Sequence, residues 1–188
     1  MSSSHPAEFR KAAVLFAAFA DEPHDVLFVE RAAHLRRNAG QIGLPGGTVD
    51  ATDGADPVVT ALRELQEELG VSGDRVRVVG VLPELEQQTT GFLVTPIVGV
   101  VEPGTLLTID PSETAGVFTV PLAAILQPGA LYEEVELSRM RGITTYAFDY
   151  DEHHIWGLTG RILKSFVDAW NAPSSQLRSD IEAAFLHT

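Results

Sequence analysis

The chain has 188 residues, 45% of them hydrophobic, enough to bury one good core and too few for two, so a single domain over residues 1–188 is expected. It has no Cys, which excludes a disulfide framework and a thiolate metal site and leaves oxygen or imidazole to hold any metal, favouring a hard cation. Thirteen Lys+Arg against 26 Asp+Glu give a net charge of −13, which repels nucleic acid and anionic lipid, so a bound phosphate has to meet a local basic patch or bound cations. Met1–Pro6 carries no basic stretch followed by an apolar run, and no window reaches the roughly 18 uninterrupted apolar residues of a membrane helix. A soluble, cytoplasmic protein with no membrane or nucleic-acid partner is expected; nothing in the composition sets its oligomeric state.

Residues 11–20, an apolar run closed by the polar, Pro-containing 21–25, predict a buried strand and its turn. Residues 26–31 predict a second strand, and the polar, basic 35–41 a loop. Leu44-Pro45-Gly46-Gly47 cannot lie inside a helix and reads as a turn that something approaches closely. Asp53-Gly54-Ala55-Asp56-Pro57 then reads as a turn followed by an N-cap Asp and a Pro at the first helical position. Val58, Ala61, Leu62, Leu65 and Leu69 recur at helical spacing up to Gly70, a C-terminal stop. Residues 76–82 and 92–101 predict strands, 133–137 and 144–150 a pair of strands, and 158–170 and 176–185 helices. The order fits an α/β fold with a mixed sheet between helical layers.

Glu64, Glu67 and Glu68 stand at i, i+3 and i+4, which puts three like charges along one face of one helix. A solvated acidic face is the plain reading of such a run. The Gly-Gly turn a short distance upstream changes it, because a backbone carbonyl there adds a hard-oxygen ligand to a carboxylate group. Arg63, one turn before Glu67, is placed to orient or partly neutralise that carboxylate.

Arg63-Glu64-Leu65-Gln66-Glu67-Glu68-Leu69-Gly70-Val71 resembles the second half of the Nudix box, G-x5-E-x7-R-E-U-x-E-E-x-G-U with U bulky aliphatic, at every specified place. The first half departs. Gly47 is followed after five residues by Asp53 where the pattern has Glu, and the segment from Asp53 to Arg63 is two residues longer. The resemblance implies a Nudix α/β fold and a box over about 47–71. It also implies Mg²⁺ or Mn²⁺ held by Glu64, Glu67, Glu68 and the Gly46 carbonyl, and cleavage of a nucleoside diphosphate linked to some further group. Arg63, Glu64, Glu67 and Glu113 are the implied catalytic residues, with Glu64 and Glu113 both candidates for accepting the water proton. After Pro111-Ser112, Glu113 could equally cap a following helix.

Residues 28–47 further resemble the signature of the coenzyme A diphosphatase branch, roughly L-L-T-x-R-S-x-x-L-R-x-H-x-G-Q-V-x-F-P-G-G. Arg31, Leu35, Arg36, Gly40, Gln41, Pro45, Gly46 and Gly47 agree; Glu30, Asn38 and Leu44 depart. Residues 90–99 and 155–163 are similar to the same branch. It implies hydrolysis of coenzyme A to 3′,5′-adenosine diphosphate and 4′-phosphopantetheine, with Arg31, Arg36, Arg37, Gln41 and Gly47 binding the substrate. Another Nudix substrate (adenosine diphosphate ribose, reduced nicotinamide dinucleotide, dinucleoside polyphosphates) and a non-catalytic nucleotide sensor are the alternatives. The adjacent His153 and His154 point to opposite faces of a strand and cannot easily share an ion, so both are expected at the surface. Trp156 and Trp170 are expected in the core.

Overall fold

The computed structural model describes residues 9–32, 40–87, 90–136 and 143–186. In chain order it holds β1 (Arg10–Phe19), β2 (Asp25–Arg31), β3 (Ile42–Gly43), β4 (Gly46–Thr48), α1 (Pro57–Leu69), β5 (Val76–Val81), β6 (Leu85–Gln87) and β7 (Phe92–Val101). There follow β8 (Thr114–Pro121), α2 (Leu122–Ile125), β9 (Leu131–Glu136), β10 (Ile143–Tyr150), β11 (His153–Ile155), α3 (Gly157–Asn171) and α4 (Gln176–Leu186).

β1 and β7 lie parallel in register from Arg10↔Phe92 to Phe19↔Val101. Both faces of this pair are covered, which is why both read as continuous apolar runs rather than alternating ones. β2 touches β1 only at Ala18↔Val26, while β8 follows β2 along its length. Where β1 and β2 part, β3 pairs with β2 at Val29↔Gly43 and β4 pairs with β1 at Val14↔Gly46. The Leu44-Pro45-Gly46-Gly47 turn thus sits within the sheet. A Cβ on Gly46, at φ 153°, would overlap the Ala13 carbonyl oxygen and Val14, so only Gly lets this backbone come so close.

The sheet separates two cores. Ala13, Leu15, Ala17, Leu27 and Val29 face Ala61, Leu65 and Leu69 of α1. The alternate residues Phe16, Ala18, Val26 and Phe28 face Ile162, Leu163, Phe166 and Ile181 of α3 and α4. Each large aliphatic side chain so buried contributes about 1.5–3 kcal/mol, and the effect is to clamp α1 against the end of the sheet that carries β4. A second, antiparallel sheet runs in the order β11-β10-β9. α3 lies close against it: Thr145 Oγ1 donates to the Gly157 carbonyl at 3.1 Å, and a Cβ on Gly160 would overlap the Tyr146 carbonyl oxygen.

The architecture is the mixed α/β sandwich expected. Glu113 precedes the strand β8, not a helix. β6, β8 and α2 had no counterpart in the sequence reading, because a three-residue strand, a four-residue helix and a strand interrupted by Gly116 carry little periodicity. Trp156 is 38% exposed at the start of α3, whereas Trp170 packs on Phe166 with ring centroids 5.9 Å apart; only the second is a packing residue. His153 stacks on Phe118 at 3.7 Å and is half-buried, and His154 is exposed, hydrogen-bonded to Asp149 at 2.6 Å. The predicted loop at 35–41 falls largely outside the described residues. No helix among them is long and apolar enough to cross a membrane.

Candidate active site

The acidic helix is fixed at both ends. Asp56 caps it, its carboxylate accepting the Val58 N–H at 2.9 Å, with Pro57 in the first turn. Gly70 ends it in the left-handed region at φ 68°, its N–H donating to Gln66 O at 2.9 Å. Two carbonyls that a helix leaves unsatisfied at its C-terminus find partners in the 102–113 loop. Thr108 N donates to Leu69 O at 2.8 Å and Asp110 N to Glu68 O at 2.9 Å. The loop is drawn onto the helix end, and Glu113 comes with it.

Arg63 is held from every side. Its Nε donates to Asp53 Oδ1 at 2.8 Å, its Nη2 to Asp53 Oδ2 at 2.9 Å and to Thr48 O at 3.1 Å. Its Nη1 reaches Glu67 Oε2 at 2.7 Å and Glu64 Oε1 at 3.0 Å. Four of the five N–H donors of the guanidinium make these hydrogen bonds and the Glu64 contact is an ion pair, so Arg63 chiefly positions carboxylates. Asp53, the residue standing two places off the box pattern, is its main partner. It is buried, and it also accepts Thr60 Oγ1 at 2.9 Å and Asp50 N at 2.8 Å. The Arg63 guanidinium holds its carboxyl far below the usual range, and Asp53 in turn raises Arg63. Sequence spacing left Asp53 without a role. The available signal was Asp50-x-x-Asp53, a reciprocal capping pair that shapes the short 3₁₀ turn over Ala51–Asp53 and turns Asp53 inward.

Glu64, Glu68 and Glu113 each bring one carboxylate oxygen within 4.8 Å of the others. Glu68 is 2% exposed and accepts the Gly46 N–H at 3.1 Å. Burial pushes its carboxyl up to about 7, against the pull of that N–H, and the Glu64 and Glu113 charges push the same way. Glu64 is raised too, chiefly by burial and against the pull of Arg63. A Cβ on Gly47 would overlap the Glu64 carboxylate and push it aside, so glycine here leaves that carboxylate in place. Glu67 stands apart, with a 55% exposed side chain turned onto Arg63; it would have to release Arg63 to join the other three.

This donor set suits a hard divalent cation. It consists of oxygen atoms alone, two of its carboxylates are raised by burial, and its nearest unsaturated positive group is Arg31 Nη1, 3.9 Å from Glu68 Oε1. Arg31 ends β2, and its Nε is buried without a hydrogen-bond partner among the described residues. Its backbone N–H donates to Gln41 O at 3.1 Å and its carbonyl accepts Gly40 N at 3.0 Å. Gln41 is exposed beside it; Arg36, Arg37 and Asn38 lie outside the described residues.

Residues 9–147 match the family model of the NUDIX domain. The chain belongs to the Nudix family. It is 39% identical over 167 residues to the uncharacterized Nudix hydrolase NudL of Salmonella paratyphi B, covering 84% of this chain and 81% of that one. The NudL protein of Salmonella newport matches to the same extent. Among solved structures, a MutT/nudix family protein from Enterococcus faecalis aligns with all of this chain and 78% of its own at a TM-score of 0.55 and 14% identity. The MutT protein of Methanosarcina mazei Go1 aligns with 65% of this chain and 84% of its own at a TM-score of 0.51 and 23% identity. At such identities these two show the fold alone. The chain is therefore a Nudix hydrolase acting on a nucleoside diphosphate derivative, in a family whose members generally use divalent metal.

Proposed function

We propose that this Nudix hydrolase cleaves the diphosphate of coenzyme A, releasing 3′,5′-adenosine diphosphate and 4′-phosphopantetheine, with Mg²⁺ or Mn²⁺. The observation that carries the chemistry is the convergence of Glu64, Glu68 and Glu113 beside the Gly46-Gly47 turn. These three, with the Gly46 carbonyl, would hold the cation, and Glu67 adds a fourth carboxylate on release of Arg63. Such a cation would supply charge stabilisation for the leaving phosphate and would acidify the attacking water. Glu113, the exposed member of the trio, takes the proton of that water; Glu64, held by Arg63, keeps its place. Arg31 donates to the diphosphate through its guanidinium, whose Nε has no acceptor among the described residues.

Choice of coenzyme A rests on the Arg31–Gly47 stretch, which the box does not require, and on Arg36 and Arg37 as partners for the 3′-phosphate in a chain of net charge −13. The test is metal-dependent hydrolysis of coenzyme A against adenosine diphosphate ribose, reduced nicotinamide dinucleotide and a dinucleoside polyphosphate, with products separated by chromatography. Coenzyme A should be turned over with the highest kcat/KM, and Glu64→Gln should abolish it. Faster turnover of another substrate would reject the reading of Arg31–Gly47 and leave the metal chemistry standing.

A further inference from the structure

We infer that Asp110 is a positioning residue for the reaction, holding Glu113 in the carboxylate trio through a turn anchored on the C-terminal carbonyls of α1. The inference rests on the reading of Glu113 as a member of the metal-holding group. Three observations carry it. Asp110 N donates to Glu68 O at 2.9 Å, so the loop is tied to the very residue whose carboxylate is the buried member of the trio. The Asp110 carboxylate accepts Ser112 N at 2.8 Å, and its carbonyl accepts Glu113 N at 3.2 Å and Thr114 N at 3.0 Å, closing a turn over 110–114. On the far side, Glu113 O accepts Ala32 N at 3.0 Å.

Glu113 therefore has its backbone held on both sides while its side chain stays exposed. An Asp side chain that accepts the N–H two residues on replaces a backbone turn, and Pro111 fits the extended-to-turn path it imposes. The Ser112 side chain first and its N–H second hydrogen-bond the carboxylate, which holds the Asp110 carboxyl below its usual range. Glu68 gains a second role from the same bonds: its carboxylate is fixed to Gly46 on β4 and its carbonyl to Asp110. The two ends of one residue thus join the glycine turn, the helix and the loop.

The test is a double-mutant cycle on Mn²⁺ affinity, read by titration of the free ion's spin-resonance signal, and on kcat and KM. Variants are Asp110→Ala, Asp110→Glu, Asp110→Asn, Glu113→Gln and Asp110→Ala/Glu113→Gln. Outer partners of metal ligands typically affect metal affinity or activity by about 10–100-fold. Asp110→Ala and Asp110→Glu should weaken Mn²⁺ binding and lower kcat by about 10-fold with KM little changed. Asp110→Asn, whose amide oxygen still accepts the Ser112 N–H, should stay within about threefold of wild type. Added to Glu113→Gln, Asp110→Ala should cost nothing more. If Asp110→Ala unfolds, Asp110→Glu keeps the comparison. An additive cycle, or an Asp110→Asn as impaired as Asp110→Ala, overturns the inference. A silent Glu113→Gln overturns the reading of Glu113 on which it rests, and the two failures are told apart by that single variant.

Discussion

Glu68 makes the metal-free enzyme lose stability as pH rises. Its carboxyl, ordinarily near 4.5, is raised to about 7 in a site where it is 2% exposed. A raised folded-state value means that the native protein holds the proton over a window where the unfolded chain has released it. The stabilising effect of the protonated form is complete below 4.5 and lost as pH climbs through 7. At about 1.4 kcal/mol per pH unit this is roughly 3 kcal/mol, or a fall in Tm of roughly 6–12 °C. The assay is thermal or urea unfolding from pH 4.5 to 8 after chelation, comparing wild type with Glu68→Gln, whose amide oxygen still accepts the Gly46 N–H. Wild type should lose stability across the window and Glu68→Gln much less, so that the variant is the more stable protein above pH 7. Mn²⁺ at about 100 times its dissociation constant should return about 2.7 kcal/mol to wild type. Parallel pH slopes for the two proteins would refute the argument that burial and like charge raise Glu68.

Gly47→Ala should leave Tm nearly unchanged and reduce kcat by about 10–100-fold, since its methyl would displace the Glu64 carboxylate; steady-state kinetics beside a melting curve checks both parts. Asp53→Ala leaves the Arg63 guanidinium without its main partner and should cost about 3 kcal/mol, measured by urea unfolding at pH 7. Because the Asp53 carboxyl is depressed in the folded state, the difference between wild type and this variant should be full above pH 3.8 and shrink as pH falls below it. Gly160→Ala, which drives a methyl into the Tyr146 carbonyl, should destabilise by about 1–3 kcal/mol in the same assay, with KM for the substrate unaffected.

How legible the fold was depended on whether an element carries its own signal. α1 was readable to its last residue, because Asp56-Pro57 at one end and Gly70 at the other state their backbone geometry locally. β1 and β7 were readable as buried strands, and their parallel pairing follows from a crossover that no local pattern records. β3 and β4 were not readable at all, being two and three residues long; they exist because β1 and β2 diverge and leave backbone groups to be paired. The site divides the same way. Glu64 and Glu68 announced themselves by helical spacing. That Glu113 joins them while Glu67 turns away depends on hydrogen bonds from residues 108 and 110 to the end of α1, and on a guanidinium that takes Glu67 for itself. Those are tertiary facts with no trace in spacing.

The two arginines of the site explain how so acidic a protein can receive a diphosphate. Arg63 gives four of its donors to Asp53, Thr48 and Glu67 and ion-pairs with Glu64, so its charge goes to ordering the carboxylates and contributes little attraction to an anion. Arg31 approaches Glu68 at 3.9 Å, and its buried Nε has no acceptor among the described residues. A buried donor without an acceptor costs about 1–3 kcal/mol, a cost that a phosphate oxygen placed there would remove on binding. On the proposed function, the three converging carboxylates would draw in the cation, and cation and Arg31 together would give the diphosphate the local positive charge that the chain as a whole does not have.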